Sequence, residues 1–298
     1  MLSCIYLTLV LTLLSMAYIH IFIVIMGITC VGFFTTLASR KGIPGGDMVL
    51  SLFGLSTVIG FAVFLLGKKA AFSADTTWIA LLAGFGGGIA YFLFNAAVKN
   101  GHYGFSNAIY RSSYLIAVVF SVLVFKERIS LLKIAGIILT TSSIFIISYS
   151  NDSFTKNARK TGALRWFGII LLSFFLSAMP RIGQNTVSAF KLDKAFYLFL
   201  SYAPAAMVFL VLAIRKGSFD KRALLYGGIG AIGSYASVYS TISAINSLGG
   251  VVVFPVTLTG PIILGLILSV VFFKERIKPL GYAGIALGAA GIILLSSS

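Results

Sequence analysis

Two arginines lie inside apolar stretches of the sequence, away from the polar connections that hold most of the other charges. Arg181 follows Pro180. The polar residues Gln184 and Asn185 come three and four positions after Arg181, and residues at this spacing share one face of a helix. A guanidinium group inside a bilayer costs about 2.5–3.5 kcal/mol even on the lenient insertion scale, so we expect Arg181 to face a wet cavity. The segment from Met179 to Asn185 is therefore the best candidate for contact with a substrate.

Other polar and aromatic side chains are candidates for the same cavity, each with a structural alternative. Arg111 lies close to the start of its predicted helix, so it either enters the cavity or extends its charge to the membrane surface. Arg181 itself could instead be a structural arginine bonded to backbone carbonyls of a neighbouring helix. The aromatic candidates either line the cavity or pack within the helical bundle, and they are Tyr91, Tyr110, Tyr114, Tyr235 and Tyr239.

The positions of the acidic residues determine the expected charge of the cavity. All seven lie at or near the ends of predicted helices: Asp47, Asp75, Glu127, Asp152, Asp193, Asp220 and Glu275. Neither arginine has an evident acidic partner at its depth, so we expect a positive cavity. Such a cavity repels cations, whereas bidentate guanidinium bonds can hold a carboxylate, a phosphate or a zwitterion. His20 and His102 lie near helix ends with no second ligand close in sequence, so neither a metal nor a cofactor is expected.

The composition is that of a membrane protein with several spans. Hydrophobic residues make up 59% of the 298 residues and charged residues 10%, against about 45–50% and about 25% in soluble domains. The net charge of +16 resides mainly in short connections, where membrane proteins keep Lys and Arg for orientation and for anionic lipid headgroups. We therefore expect the lipid bilayer, and not nucleic acid, as the partner of these charges. Cys4 and Cys30 lie in apolar stretches and indicate neither a disulfide nor a metal pair.

The hydropathy pattern predicts an all-α polytopic membrane protein with ten transmembrane helices. Each apolar run is about 20 residues long, which is the length that a helix needs to cross the hydrocarbon core. The polar segment 151–162 is the predicted linker between two domains, residues 17–150 and 163–298. Residues 1–16 are apolar and are interpreted as an extension of the first helix, with an extra span, an upstream start or a cleaved signal peptide as alternatives. The predicted helices cover residues 17–39, 46–67, 77–98, 103–125, 131–149, 163–190, 193–214, 222–246, 249–273 and 279–296.

The two halves of the chain are copies of one unit. The pentapeptide FKERI at 125–129 returns unchanged at 273–277, a shift of 148 residues, which is the distance from Glu127 to Glu275. Five helices per half is an odd number, so the second copy enters the membrane in the opposite direction and the halves form an inverted repeat. We interpret the charged hairpins as interfacial anchors, with each glutamate at the positive N-terminal end of the helix that follows it. A gate at one membrane face is the functional alternative.

With these features the sequence resembles the drug/metabolite transporter superfamily, in its ten-helix EamA-type form. The resemblance covers about residues 17–298 and rests on the charged hairpins, on the small-residue final helices at 134–137 and 282–285, and on the Gly-Pro step within 259–262. It implies a carrier of metabolites, amino acids or drugs with both termini in the cytoplasm. The distribution of Lys and Arg instead favours both termini outside, because the connections after odd-numbered helices hold most of these residues.

The leading functional hypothesis is a secondary transporter that moves a small anionic or zwitterionic metabolite, such as an amino acid or organic acid, by alternating access. The sequence has no ATP-binding motif, so we expect a gradient or an exchange to supply the energy. The alternatives are efflux of neutral or amphipathic compounds, and a non-transport role such as a scramblase or an assembly partner. An enzyme is not expected, because the sequence offers no nucleophile–base pair or metal cluster at membrane depth. We expect a multi-pass protein of the cell membrane, in a bacterium the inner membrane, as a monomer or homodimer.

Overall fold

The chain folds into helices, and no strand occurs among the residues that the structure describes. The structure is a computed structural model that describes residues 2–67, 72–100, 103–150, 163–274 and 277–297, with side chains from residue 16 onward except at 99–100, 103 and 163–164. The predicted all-α fold is confirmed. The helices are α1 (Leu2–Arg40), α2 (Gly45–Leu66), α3 (Ala74–Asn100), α4 (Tyr103–Ser112), α5 (Tyr114–Leu123), α6 (Leu131–Ser150), α7 (Ala163–Ala189), α8 (Lys194–Lys216), α9 (Arg222–Leu248), α10 (Gly250–Phe273) and α11 (Pro279–Ser296).

These helices form the ten predicted spans, because α4 and α5 together occupy the fourth one. Within the described residues, nine spans are long and apolar enough to cross a membrane, with α4 and α5 counted as one. The tenth span is α9, whose many glycines, serines and tyrosines lower its hydropathy. The described backbone of α1 continues as one helix from Leu2 to Arg40. The predicted linker, residues 151–162, lies outside the described residues.

Successive spans run in opposite directions, and this alternation defines two ends of the bundle. We call the end where α6 stops and α7 starts the linker face, and the end where α5 stops and α6 starts the hairpin face. The helices α1, α3, α8 and α10 also finish at the linker face, whereas α7, α9 and α11 finish at the hairpin face. Each charged hairpin of the repeat therefore lies at a different face, as an inverted repeat requires.

The two charged hairpins begin with the same backbone turn. Lys126 and Lys274 are equivalent positions of the repeat, and both adopt a left-handed conformation with φ angles of 55° and 54°. Few residues other than glycine adopt positive φ angles. A shared angle at equivalent lysines shows that the duplication preserved the local fold as well as the sequence.

The fourth span is interrupted near its middle, and the equivalent span of the second repeat carries a proline there. The backbone N–H of Ser113 and its hydroxyl both donate to the Tyr110 carbonyl, at 3.4 and 2.7 Å, and this tight turn separates α4 from α5. The repeat places Pro261, inside α10, at the position equivalent to Ser113. Both spans therefore have a local irregularity at mid-membrane, which frees polar backbone groups for other partners.

Helices from different repeats cross closely where glycines meet. A Cβ atom added at Gly27 in α1 would lie 2.5 Å from the carbonyl oxygen of Gly233 in α9. A Cβ atom added at Gly136 in α6 would lie 3.0 Å from the carbonyl oxygen of Gly291 in α11. Small residues let helix backbones approach in lipid, where dispersion contacts replace the hydrophobic effect as the packing force. These crossings hold the two repeats together around the centre of the bundle.

We expect Gly27→Ala to lower the melting temperature of the purified protein, because the added methyl group would clash with the backbone of Gly233. Overpacking of this kind costs about 1–3 kcal/mol. Gly54→Ala is the matched control, since nothing lies within 4 Å of a Cβ atom there and alanine is the better helix former. Equal melting temperatures for Gly27→Ala and the parent in detergent would contradict this account of the α1–α9 crossing.

Candidate functional site

The centre of the bundle contains two adjoining cavities. The outer cavity has a volume of about 540 Å³ and the inner one about 250 Å³. Both are lined by the same five residues, Ile28, Val31, Tyr110, Arg181 and Leu258, so these side chains stand at the boundary between the two. Ligand sites for small molecules usually have volumes of about 300–1,000 Å³. The paired cavities are therefore suited to a metabolite-sized guest.

The outer cavity extends toward the linker face. Its walls include Asn107 near the start of α4, Ser148 in the last turn of α6, and Phe273 at the end of α10. Thr35 and Thr36 of α1 line the same wall, close to the end of that helix. Because all of these helix ends lie at the linker face, the outer cavity leads from that face to the middle of the bundle.

The inner cavity lies deeper, on the side of the hairpin face. Its polar lining comes from Gln184 of α7 and from hydroxyl groups of α9 and α10. Phe254, in the second turn of α10 and only 2% exposed, lines the end of the cavity nearest the hairpin face. Phe254 and the start of α10 therefore stand between the inner cavity and the hairpin face.

Arg181 stands between the two cavities and is held by one of its three guanidinium nitrogens. Pro180 precedes Arg181 in α7, and the Arg181 side chain is half-buried. The Nη1 atom of Arg181 donates to the Ser113 hydroxyl at 2.8 Å and to the Ser177 carbonyl of its own helix. No described residue accepts a hydrogen bond from Nε or Nη2, and no described carboxylate forms an ion pair with Arg181. The structure therefore fixes the guanidinium from one edge and leaves the other edge to the cavities.

The unoccupied edge is the one that can bind a carboxylate with two parallel bonds. The protein itself contains an example at its surface, where Nε of Arg222 donates to Oδ1 of Asp220 at 3.1 Å and Nη2 donates to Oδ2 at 2.7 Å. Such fork-like pairs are stronger and more directional than single neutral hydrogen bonds. Arg181 presents the same pair of donors to a cavity instead of to a protein acid.

Two further polar groups beside Arg181 also have no hydrogen-bond partner among the described residues. The Gln184 side chain and the Tyr110 hydroxyl both line the cavities, and neither forms a hydrogen bond with a described residue. Tyr110 lies within electrostatic range of both Arg181 and Arg111. Its ring packs at a tilt against Phe94 with centroids 4.7 Å apart, which helps to fix its position. Together these groups make a small set of oriented polar contacts for a guest.

Arg111 belongs to the outer cavity and is tied to its wall. Its Nε donates to the Asn107 side-chain oxygen at 3.0 Å, and the Asn107 amide donates to Ser148 at 3.4 Å. Tyr91 of α3 lines the same cavity. Arg111 therefore adds positive charge along the route from the linker face to Arg181.

The hydroxyl groups of the inner cavity face it as acceptors. Ser237, Thr241 and Thr257 donate their protons to carbonyls of their own helices, at 2.6, 2.8 and 2.7 Å. A hydroxyl group has one proton, so what remains for a guest is the lone pairs of these oxygens. Donors on Arg181 and hydroxyl acceptors of α9 and α10 thus line the same inner cavity.

Four of the predicted site residues lie outside the walls of both cavities. Tyr114 is fully buried against α6, where its hydroxyl bonds Thr141 at 2.6 Å. Asn185 donates to Ser121 on the hairpin side of the inner cavity. Tyr235 and Tyr239 stack on each other with centroids 6.4 Å apart. We leave these four out of the candidate site, which keeps Arg181, Gln184, Arg111, Tyr110 and Tyr91 of the predicted set.

The sequence reasoning expected the first helix to line part of the path but named none of its residues as site candidates, although the repeat could have revealed them. At the shift of 148 residues, Arg181 corresponds to Phe33 and Gln184 to Thr36, and both α1 residues line the outer cavity. Equivalent faces of α1 and α7, the first helix of each repeat, therefore line the path from two sides. Only the second repeat supplies an arginine at this position, so one wall of the site is charged and the opposite wall is not.

The comparisons with known proteins agree with this architecture. The model of the EamA-like transporter family matches residues 6–149 and again residues 164–297. An uncharacterized protein of Haemophilus influenzae is 26% identical over 197 residues, and the match spans 64% of this chain and 65% of that protein. A protein of known crystal structure shares the fold with a TM-score of 0.66 at 15% identity, over 91% of this chain and 95% of that one.

The family model accounts for both halves of the chain, with one match on each side of the predicted linker. The predicted relationship to the drug/metabolite transporter superfamily is confirmed, as is the expectation of a multi-pass membrane protein. The chain belongs to the EamA-like transporter family.

Proposed function

We propose that this transporter carries a small zwitterionic or anionic metabolite, such as an amino acid or an organic acid, by alternating access. The observation that carries this proposal is the unoccupied Nε and Nη2 edge of Arg181, which faces the cavities without a described acidic partner. A hydrogen bond to a charged group contributes about 1.5–3 kcal/mol. One carboxylate on this fork is enough to orient a small guest.

The inner cavity favours a zwitterion over a guest with acidic groups alone. A carboxylate held by Arg181 leaves the rest of the guest near Gln184, Thr241 and Thr257, where hydroxyl oxygens and an amide oxygen can accept hydrogen bonds. An ammonium group is a strong donor with no acceptor capacity. A second carboxylate at this place would instead face lone pairs. Apolar side chains at the boundary, Val31 and Leu258, suit a hydrocarbon portion of the guest.

The closed end and the open end fit one stage of an alternating-access cycle. The outer cavity extends toward the linker face, while buried Phe254 stands between the inner cavity and the hairpin face. In an inverted repeat, each half can adopt the conformation of the other, which exchanges the open and closed faces around a fixed site. A gradient or an exchanged solute would drive this cycle. Since the relative comes from a bacterium, we place the protein in a bacterial inner membrane.

Efflux of neutral or amphipathic compounds is the second candidate, and the aromatic walls of the outer cavity favour it. Phe33, Tyr91, Phe94, Tyr110 and Phe273 all line that cavity. Aromatic faces bind apolar molecules of varied shape. In this case apolar solutes would compete for transport, whereas amino acids and organic acids would not.

We expect Arg181→Ala to reduce saturable uptake of the responding amino acid or organic acid into proteoliposomes by about tenfold or more, because the charged fork is lost. Arg181→Lys keeps the charge without the fork and should fall between this variant and the parent. Arg165→Ala is the control, since Arg165 is exposed at the start of the same helix. Parent-like uptake by Arg181→Ala would disprove the binding assignment.

We expect Thr241→Val to weaken binding of an amino acid about two- to tenfold, because one acceptor for its ammonium group is removed. Binding of the matching carboxylic acid without the amino group should change little. The measurement is the thermal shift of purified protein against both compounds. Thr57→Val is the control, because Thr57 makes the same bond to its own helix, at 2.8 Å, but lines neither cavity. Equal weakening for both compounds would contradict the zwitterion assignment.

A further inference from the structure

Glu127 connects the two repeats at the hairpin face. It lies in the turn after α5, and its carboxylate accepts the backbone N–H groups of Gly250 and Val251, both at 3.0 Å. These are the first residues of α10, which belongs to the other repeat. The sequence had suggested that Glu127 caps the helix that follows it, but the structure places its carboxylate on α10. The cause is tertiary, because the tip of the hairpin folds over the end of a neighbouring helix.

The start of α10 is built to receive this carboxylate. The first N–H groups of a helix have no partner within the helix and carry the positive end of its dipole. Gly249, just before α10, has a φ angle of 77°, and a Cβ atom there would lie 2.6 Å from Glu127 Oε2. Glycine therefore meets two requirements at this position, the positive φ angle and the space for the carboxylate.

The contact lies directly beyond the closed end of the inner cavity. A Cβ atom on Gly250 would lie 2.6 Å from the Ser121 hydroxyl of α5 and 2.9 Å from the Asn185 amide of α7. It would also lie 2.9 Å from the ring of Phe254, which lines the inner cavity. Ser121 and Asn185 are themselves hydrogen-bonded. Three helices thus meet without a gap between the cavity and the hairpin face.

We propose that Glu127 is a gating residue that keeps the hairpin-face end of the transport path closed, and that its carboxylate must leave α10 before the path opens there. This inference rests on the proposed alternating access. The N-terminus of α10 cannot move away from the turn after α5 while the Glu127 carboxylate joins the two. Loss of two charge-assisted hydrogen bonds should shift the balance from closed to open molecules by about tenfold or more.

The test measures a distance across this contact and needs no knowledge of the substrate. Spin labels are attached to cysteines at Arg128 in the hairpin and Ser247 before α10, both exposed, in full-length protein with its natural cysteines replaced. Pulsed electron paramagnetic resonance then gives the distribution of distances between them. We expect Glu127→Gln to raise the ratio of long to short distances about tenfold or more relative to the parent protein. Lys126→Gln, an exposed charge in the same turn, should leave the distribution unchanged.

Gly249→Ala provides a second variant that leaves the glutamate in place. Its methyl group crowds the carboxylate, so it should lengthen the distances in the same direction as Glu127→Gln. A distance distribution of Glu127→Gln that matches the parent overturns the proposal. If Glu127→Gln does not fold, a parent-like distribution of Gly249→Ala overturns it instead. The distance measurement is independent of uptake by the Arg181 variants. The gating role of Glu127 can therefore be disproved while the substrate assignment to Arg181 stands, and the substrate assignment can be disproved while the gating role stands.

Discussion

A guanidinium group that lies at mid-membrane with only part of its hydrogen-bonding capacity used is the constraint on which the rest of the structure depends. Arg181 is anchored through Nη1 by Ser113 and Ser177, and no described acid neutralises it. A buried charge of this kind is unfavourable unless water or a ligand reaches it. The cavities, the interrupted fourth span and the proline before the arginine all serve to keep that charge both fixed and accessible.

The inverted repeat explains how such a site arises in a symmetric scaffold. Equivalent faces of α1 and α7 line the path, but α7 supplies Arg181 and Gln184 where α1 supplies Phe33 and Thr36. In the proposed cycle, the backbone symmetry allows the exchange of open and closed faces, and the side chains that break the symmetry bind the solute. The repeat, the span number and the all-α fold were predictable because hydropathy and the shift of 148 residues depend on sequence alone. The interruption at Ser113 was not, since no glycine or proline stands there.

The sequence predicted the charged centre of the site better than its surroundings. An arginine in an apolar run is rare enough to identify by residue type, whereas Tyr114 and Asn185 differ from cavity residues only in the direction they face. Asn185 adjoins Gln184 on α7, yet one step along a helix turns a side chain by about 100°, and this turn moves it from the cavity to Ser121. The hydroxyls of Ser237, Thr241 and Thr257 gave no signal, because serine and threonine are common in spans. Their role depends on which lone pairs remain after their bonds to the backbone.

The most direct test of the account is an experimental structure of the protein in lipid with a saturating amino acid or organic acid that stabilises it. The account predicts density for the guest at the boundary of the two cavities, with its carboxylate about 2.7–2.9 Å from Nε and Nη2 of Arg181. A guest bound elsewhere, or an Arg181 fork occupied by a carboxylate of the protein itself, would contradict it.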